Sequence, residues 1–406
     1  MKLYAQHGYG DGQKIRQGIR QGFIDGVIFS PKDISVTRLR ETLVDLRSGY
    51  ADAERLFDPQ FYATVVANEP NSRCGSLITD YSDYFVPRRR SELETEERVR
   101  SDLGRTLAFA RNLDITSVIS PNILVPRSLN SIEAAIAKNF IRNAKPVANN
   151  LGETRLLFAT LAIGCEALRQ HRDLIEFLTD LTLLEVPPDG FYVLAGVSAN
   201  DGRLDTFDAD TVAGIMLLNY VLKLNGFRVI NGYSDLMTPF LGACGSDAGA
   251  TGWWGNLRAF GLNRFAPESS GGRLPIPRYL SCALLNRITF AELEQLRGVV
   301  PEVWNQLVTD ELYPAVNGSE PERSVEVLQS WNSLNELCRR LIVPGDVLQS
   351  VNRCQRSIER ALQVYSSVED AIFGQLDPKS DSSHLEPLLT GLVRFLELAE
   401  IGASEE

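Results

Sequence analysis

Carboxylates are the most abundant side chains in this sequence that could carry out acid–base or nucleophilic chemistry. The chain contains 52 Asp and Glu residues and only three His. A reaction here would therefore most naturally use Asp or Glu as acid, base or nucleophile. The six cysteines share no CxxC spacing, so with so few histidines no zinc-ligand set assembles, and we expect small buried thiols. Residues 8–12 are glycine-rich, but their spacing is not that of a dinucleotide-binding loop.

The elements that must position such residues alternate between short apolar runs and helical stretches over the first two thirds of the chain. Eight strands are predicted, each followed by a helix or a helix-like segment: 2–7, 26–30, 61–66, 116–120, 155–163, 191–198, 227–231 and 248–254. Alternating strands and helices indicate a parallel sheet, and eight repeats in about 260 residues favour a closed barrel. The sequence therefore predicts an α/β fold, a (β/α)₈ TIM-type barrel, over residues 1–270.

The remainder of the chain, residues 271–406, changes to a helical pattern. Helices are predicted over 290–296, 303–312, 324–341, 347–372 and 385–401. We expect a helical C-terminal region that packs on the barrel or binds a protein partner.

The strand ends supply the candidate site, because reactive groups of such barrels lie where strands end and the following loops begin. The candidates at these positions are His7, Asn68, Ser198, Asn200, Asp201, Asn231, Tyr233, Asp235, Trp253, Asn256 and Arg258. Asp201 and Asp235 are the catalytic candidates among them, although Asp235 could instead cap the helix that begins at Leu236. The others are expected to bind ligand, and Trp253 could stack on a planar one. The long loop over 67–90 would add polar and aromatic side chains to this face.

Three stretches resemble the tRNA-guanine transglycosylases, a family of (β/α)₈ barrels that exchange a base at a ribose carbon. Residues 77–82 (LITDYS) are similar to the motif around that family's first catalytic aspartate, which the resemblance places at Asp80. Residues 190–198 (GFYVLAGVS) resemble its glycine-rich strand, and 234–258 follow the segment that carries its nucleophile. The matching position falls near Ala250, so Asp247 is the nearest carboxylate. The family's glycine pair is replaced by Tyr81 and Ser82, and its cysteine-rich zinc motif is missing.

Three functions stay open at this point. The first is a barrel enzyme, a transglycosylase-like transferase that binds a small polar or nucleobase-containing ligand. It predicts that Asp80, Asp201, Asp235 and Asp247 converge on one pocket with perturbed pKa values. The second is a non-catalytic barrel subunit of a larger protein complex, with a filled mouth. The third is a flavin-dependent barrel with a phosphate site near Arg258, and the residues name no cofactor.

The charge and hydropathy of the chain limit its partners. A net charge of −11 opposes bulk binding to nucleic acid, although a local contact is compatible with it. No apolar run of about 18 residues is present, so no membrane span is expected. The first residues lack a signal-peptide pattern, and a cytoplasmic location is the expectation.

Overall fold

The computed structural model describes residues 1–10, 12–197, 207–267, 276–314, 318–372 and 375–402. Eight parallel strands form a nearly closed barrel in the order β3-β2-β1-β9-β8-β7-β6-β4, and the short β5 pairs with β6 beyond β4. The two edges approach each other where the Thr116 amide donates to the Arg55 carbonyl (2.8 Å). The predicted TIM-type barrel is confirmed. The strands of the barrel are β1 Lys2–Gln6, β2 Gly26–Phe29, β3 Glu54–Phe57, β4 Ser117–Ile119, β5 Leu124–Val125, β6 Leu156–Gly164, β7 Gly190–Gly196, β8 Arg228–Asn231 and β9 Ala248–Thr251.

Helices cover the outside of the barrel and fill the C-terminal region. Their bounds are α1 Gln13–Arg20, α2 Val36–Gly49, α3 Ser76–Asp80, α4 Glu96–Arg111, α5 Ile132–Asn150, α6 Cys165–Leu168, α7 His171–Thr182, α8 Ala209–Leu224, α9 Thr238–Ala243, α10 Phe290–Leu296, α11 Arg323–Leu341, α12 Val347–Ala371 and α13 Leu385–Leu398. An antiparallel hairpin of β10 Arg278–Ser281 and β11 Asn286–Thr289 precedes α10. None of these helices is both long and apolar enough to cross a membrane, within the residues that the structure describes.

The strands form because their side chains are covered on both faces. Every residue of β2 is buried, as are all but one of the residues in β6 and in β7. Such strands are apolar runs without alternation, as parallel strands between helices should be. Gly26 allows β2 to lie close to its neighbour, since a Cβ atom there would come within 2.3 Å of the Glu54 carbonyl oxygen.

Several helices begin at a residue whose side chain accepts a hydrogen bond from the first turn. Asp208 caps α8 by accepting from the Thr211 amide (3.1 Å), and the helix ends at Leu224 before Asn225 and Gly226. Ser131 caps α5 in the same way. These caps satisfy backbone donors that have no partner inside a helix.

The C-terminal helices pack on the outside of the barrel. Helix α11 contacts both α1 and α9, and its Trp331 is buried against Gly18 of α1. The Trp331 indole donates to the Thr251 carbonyl at the end of β9 (3.4 Å). Helix α13 lies along α8, where the rings of Phe395 and Tyr220 meet edge to face. Helix α11 thus occupies the position of the helix that would follow the last barrel strand.

Two of the predicted elements are wrong. The third strand is Glu54–Phe57, and the apolar residues 61–66 that were predicted as that strand instead form buried 3-10 turns, Phe61–Thr64 and the start of Val66–Asn68. Residues 61–66 are mostly apolar because they are buried or half-buried, and such a run is also the pattern of a covered strand. The helix predicted over 303–312 is replaced by two 3-10 segments, Pro301–Val303 and Val308–Leu312. Strands β5, β10 and β11 were not predicted; β5 has only two residues.

Candidate active site

A buried carboxylate, Asp58, lies at the carboxyl end of β3 inside the mouth of the barrel. The residue is 1% exposed. Its Oδ1 accepts from the Gln60 amide (2.9 Å), and its Oδ2 accepts from the hydroxyls of Tyr62 (2.8 Å) and Tyr192 (3.3 Å). Gln60 adopts the left-handed backbone conformation (φ 51°), and this turn aims its N–H group back at Asp58. Three uncharged donors therefore hold this carboxylate.

The protonation of Asp58 is set by two opposing effects. Burial raises its pKa to about 6, while the hydrogen bonds from Gln60 and Tyr62 and the positive charge of Arg264 act in the opposite direction. A carboxyl group with a pKa near neutrality can both give and take a proton under physiological conditions. This makes Asp58 the described carboxylate best suited to acid–base chemistry.

Three tyrosines complete the floor of the mouth. Burial raises the pKa of Tyr62, Tyr192 and Tyr233, so their hydroxyls stay protonated and available as donors. The Tyr192 hydroxyl is also within hydrogen-bond distance of Oε1 of Gln6 on β1 (3.4 Å). The Tyr233 hydroxyl accepts from Nε2 of Gln60 (3.4 Å). The network thus connects β1, β3, β7 and the loop after β8.

Two cations lie beside this floor. Arg264 donates to the Tyr233 hydroxyl (3.2 Å) and to Oδ2 of Asp33 (2.7 Å), and its guanidinium lies over the rings of Tyr233 and Phe265. Burial and the nearby Arg264 charge lower the pKa of Lys32. The carboxylate of Asp58 and the positive charge of Arg264 thus belong to one network, joined through Gln60 and Tyr233.

A second buried carboxylate, Asp235, follows β8 and is 2% exposed. The Arg287 guanidinium donates to both of its oxygens (2.5 and 2.9 Å), and the Thr251 hydroxyl donates to Oδ1 (2.5 Å). Burial raises the pKa of Asp235, but the charges of Arg287 and Arg258 outweigh that effect and the net shift is downward. Its carboxylate makes these side-chain bonds instead of capping the helix after it. Asp235 therefore favours its charged form, and its bonds to Arg287 connect the barrel to β11.

The other two described catalytic candidates lie away from this mouth. Asp80 is exposed at the end of α3. Asp247 precedes β9, so it lies at the amino end of the barrel, where it pairs with Lys223 (2.5 Å) and accepts from the Val229 amide (2.8 Å). It borders a cavity of about 330 Å³ at that end. The structure does not bring Asp80, Asp235 and Asp247 together, and Asp201 lies outside the described residues.

Some of the ligand-binding candidates lie at the mouth of the barrel, and others lie away from it. Tyr233 and His7 are buried at the mouth, and Trp253 lies beside His7, with 6.0 Å between the ring centroids. Asn231 points to α8, where its Nδ2 donates to Asn219 (2.8 Å) and Ser246 (2.7 Å). Asn68 and Asn256 are exposed, and Ser198 and Asn200 lie outside the described residues.

His7 and Arg258 have strongly altered proton affinities. Burial, followed by the charge of Lys14, lowers the pKa of His7 to about 3, so its imidazole is neutral at pH 7. Burial lowers the pKa of Arg258 to about 10. Arg258 pairs with Glu326 of α11 (3.6 Å) and donates to the Gly252 carbonyl (3.2 Å). It is thus engaged with the C-terminal region.

The residues that sequence reasoning missed form the centre of the network. Asp58, Gln60 and Tyr62 follow β3 directly, but the misplaced third strand directed attention to Asn68 instead. The signal was present in Asp58-Pro59-Gln60, a turn sequence after a four-residue strand. Arg264 carried no such signal, because it reaches the mouth from a loop far along the chain.

Neither metal-ligating clusters among the described residues nor similarities to known proteins identify a ligand for this site. In the described part of the chain, no cluster of three or more His, Cys, Asp or Glu side chains could hold a metal ion. No protein-family model and no curated protein matches the chain. Among solved structures, it is similar to the carboxyl transferase domain of pyruvate carboxylase from Rhizobium etli with pyruvate, at 11% identity and a TM-score of 0.30. That match covers 98% of this chain and 62% of the other. The comparisons bring no evidence for the tRNA-guanine transglycosylase resemblance.

Proposed function

We propose that this barrel is an enzyme that uses Asp58 as its reacting carboxylate on a small polar ligand held at the mouth. The observation that carries the proposal is the burial of Asp58 among uncharged donors, which raises its pKa to about 6. Positive charge from Arg264 and Lys32 on the neighbouring loops would attract an anionic or strongly polar group.

The reaction that we propose is a transglycosylase-like base exchange on a nucleobase-containing ligand. An Asp58 oxygen would attack the ribose carbon while the glycosidic C–N bond breaks, with its electron pair leaving on the base, which takes up a proton from water. An incoming base would then give up a proton to water, attack the same carbon and release the carboxylate. Tyr62 and Tyr192 would hold the carboxylate in place between the two steps.

The experiment that tests this proposal is an isotope-exchange assay. Purine nucleosides and nucleotides are incubated with isotope-labelled free purines, and label transfer is measured by mass spectrometry. We expect exchange by the natural protein, a loss of about a hundredfold or more in Asp58→Asn, and full activity in Asp80→Asn. Asp80 is the matched control, because it is the exposed carboxylate to which the family resemblance points. Retained activity in Asp58→Asn with loss in Asp80→Asn would move the reaction centre to α3.

A non-catalytic barrel subunit is the second candidate function. It is favoured by the packing of the mouth, where Asp58, Gln60, Tyr62, Tyr192 and Arg264 are all buried and bonded to each other or to near neighbours. In this case the C-terminal helices would bind a protein partner. Thermal-shift screening against nucleobases, nucleotides and flavins separates the candidates. No response to any of these, together with no exchange, would support the subunit.

The flavin alternative has weaker support. It requires a phosphate site near the last strands with Arg258 as its cation. That guanidinium already pairs with Glu326 and bonds to the Gly252 carbonyl. A bound yellow chromophore in the purified protein would establish it.

A further inference from the structure

The amino end of the barrel, opposite the mouth that holds Asp58, contains a cavity of about 330 Å³. Because the strands are parallel, their first residues meet at this end, and Lys2 of β1, Arg228 of β8 and Ala248 of β9 border the cavity. Sites for small molecules occupy about 300–1,000 Å³, and an apolar cavity of about 150 Å³ already holds benzene. This cavity therefore has room for a ligand of one or two rings.

Small residues at the start of two strands leave this space open. Gly190, the first residue of β7, lies in register between Phe158 of β6 and Arg228 of β8. A Cβ atom on Gly190 would come within 2.8 Å of the Phe158 ring and 2.9 Å of Cβ of Arg228, and both of these side chains line the cavity. Ala248 places only a methyl group opposite Lys2. Barrel interiors are normally filled by layers of bulky side chains, so these small residues account for the cavity.

The deeper walls of the cavity are apolar. They are formed by four side chains that are each at most 3% exposed, Tyr4, Phe158, Ile230 and Ala248. Burial and the nearby Glu54 carboxylate raise the pKa of Tyr4, so its hydroxyl is uncharged. Removing a ring from water against such walls is favourable. The interior therefore suits the apolar part of a ligand.

The opening of the cavity carries charged residues, and one cation among them has no partner. Lys2 pairs with Glu54, and Asp247 pairs with Lys223 (2.5 Å). The Arg228 side chain is exposed and makes no hydrogen bond or ion pair with any residue that the structure describes. Both carboxylates at the opening are thus compensated, and the charge left for a ligand is positive. An arginine fork matches a carboxylate through two parallel N–H···O bonds.

We propose that this cavity binds an aromatic carboxylic acid, with its ring against the apolar walls and its carboxylate on Arg228. A single negative charge fits better than a phosphate monoester, because one cation is unpaired and the carboxylates of Glu54 and Asp247 border the same opening. This inference goes beyond the proposed function, since the site lies at the other end of the barrel from Asp58 and uses no residue of its network.

Calorimetric titration of the full chain with 2-naphthoate tests this site. Three further probes divide the ligand into its parts: 2-naphthamide has the rings without the charge, acetate has the charge without the rings, and 2-naphthylmethylammonium reverses the charge. We expect the acid to bind about tenfold more tightly than the amide, which is the value of one charge-assisted contact. Acetate and the ammonium probe should bind more weakly than either. Added salt should weaken the acid more than the amide, because Arg228 is exposed.

Two variants separate the contributions of charge and cavity. Arg228→Gln should weaken 2-naphthoate by about tenfold and leave 2-naphthamide unchanged. Arg360→Gln on α12 is the matched control, because Arg360 is also exposed and also makes no ion pair or hydrogen bond through its side chain with the described residues. It should change neither value. Ala248→Leu should weaken both ring probes by filling the cavity, with thermal unfolding as the check that the variant is folded.

The outcomes decide between this site and a nonspecific contact. An amide or ammonium probe that binds as tightly as the acid would overturn the proposal, and so would acetate that binds as tightly as 2-naphthoate. Unchanged binding of the acid in Arg228→Gln would also overturn it, whether or not Ala248→Leu folds. Asp58→Asn should bind 2-naphthoate as the natural protein does. Loss of base exchange in that variant with this binding intact would keep the two sites distinct.

Discussion

Asp58 and Asp235 are two equally buried aspartates that follow strands of the same barrel, yet their proton affinities move in opposite directions. Asp58 faces a backbone amide and two tyrosine hydroxyls, and its pKa is raised to about 6. Asp235 faces the Arg287 guanidinium, and its pKa is lowered. Burial alone therefore does not identify a reactive carboxylate. The charge of its partners decides whether the proton is exchangeable near neutral pH.

The two sites also differ in what they connect. The direct partners of Asp58 lie on β7 and in the turn after β3, so its network is internal to the barrel. Asp235 contacts Arg287 of β11, which also donates to Ser330 of α11 (2.6 Å). The second site thus fastens the C-terminal region to the barrel, and we assign it a stabilising role.

The largest expected effect is the loss of stability in Asp235→Asn. Removing one partner of a buried ion pair leaves the other charge uncompensated, which costs about 3–5 kcal/mol. Urea unfolding at pH 7 measures this cost. Asp80→Asn, at an exposed position without an ion pair that the structure shows, should stay within about 0.5 kcal/mol of the natural protein.

The double variant Asp235→Asn with Arg287→Met sharpens this prediction. Removing both charges should recover part of the lost stability, because neither partner is then left buried alone. A double variant that is less stable than the sum of the two single variants would contradict the ion-pair explanation.

A pH series should separate the two aspartates by sign. Because the pKa of Asp58 is higher in the folded protein than its ordinary 3.8, its contribution to stability is fully present below pH 4 and is lost as the pH rises through 6. Asp235 behaves in the opposite way, since a lowered pKa stabilises the fold above its ordinary pKa and the benefit is lost on acidification.

The measurement is the unfolding free energy of Asp58→Asn relative to the natural protein at pH 4 and pH 7. We expect the difference to shift by about 2.4 kcal/mol in favour of the variant at the higher pH, since each unit of pKa corresponds to about 1.4 kcal/mol and the unfolded carboxyl is already about half ionised at pH 4. A difference that does not change with pH would show that Asp58 is ionised throughout this range. Asp58 would then have no role as an acid or a base, and only its proposed nucleophilic role would stand.

The barrel was predictable because its parallel strands are covered on both faces. Strands such as β6 and β7 leave long apolar runs in the sequence, and their predicted ends fall within a few residues of the observed ones. Strand β3 was not predictable in this way, because half of it is charged. Its Arg55 is buried by donating to the carbonyls of Ala53 (2.9 Å) and Asp114 (3.1 Å), and the second of these contacts spans 59 residues.

The candidate site was less predictable than the fold for a related reason. Tyr233 and His7 were predicted at strand ends and lie at the mouth, but the misplaced third strand concealed Asp58. Arg264 reaches Asp33 across 231 residues of sequence, and Arg287 reaches Asp235 across 52. No local pattern reports such contacts. The polar partners that set the proton affinity of each aspartate therefore become visible only in three dimensions.

The smallest expected effect is the difference in the pKa of Asp58 between the variants Tyr62→Phe and Tyr192→Phe. A hydrogen bond to the charged form of a carboxylate lowers its pKa, so Tyr62→Phe should raise the pKa of Asp58 further. Tyr192→Phe should act in the same direction but more weakly, because its hydroxyl lies 3.3 Å from Oδ2 and is shared with Gln6, whereas that of Tyr62 lies at 2.8 Å. Each variant should cost about 1 kcal/mol of stability. The pH midpoint of the Asp58-dependent stability change measures both shifts.

Tyr81→Phe is the matched control for this comparison. Its hydroxyl is buried and donates to the Ile34 carbonyl (3.0 Å), so it makes a bond of similar length that does not involve a carboxylate. It should cost a similar free energy and leave the pH midpoint unchanged. A midpoint shift in Tyr81→Phe equal to that in Tyr62→Phe would mean that the midpoint reports general loosening of the barrel. A shift confined to Tyr62 and Tyr192 would tie the proton affinity of Asp58 to the donors that distinguish it from Asp235.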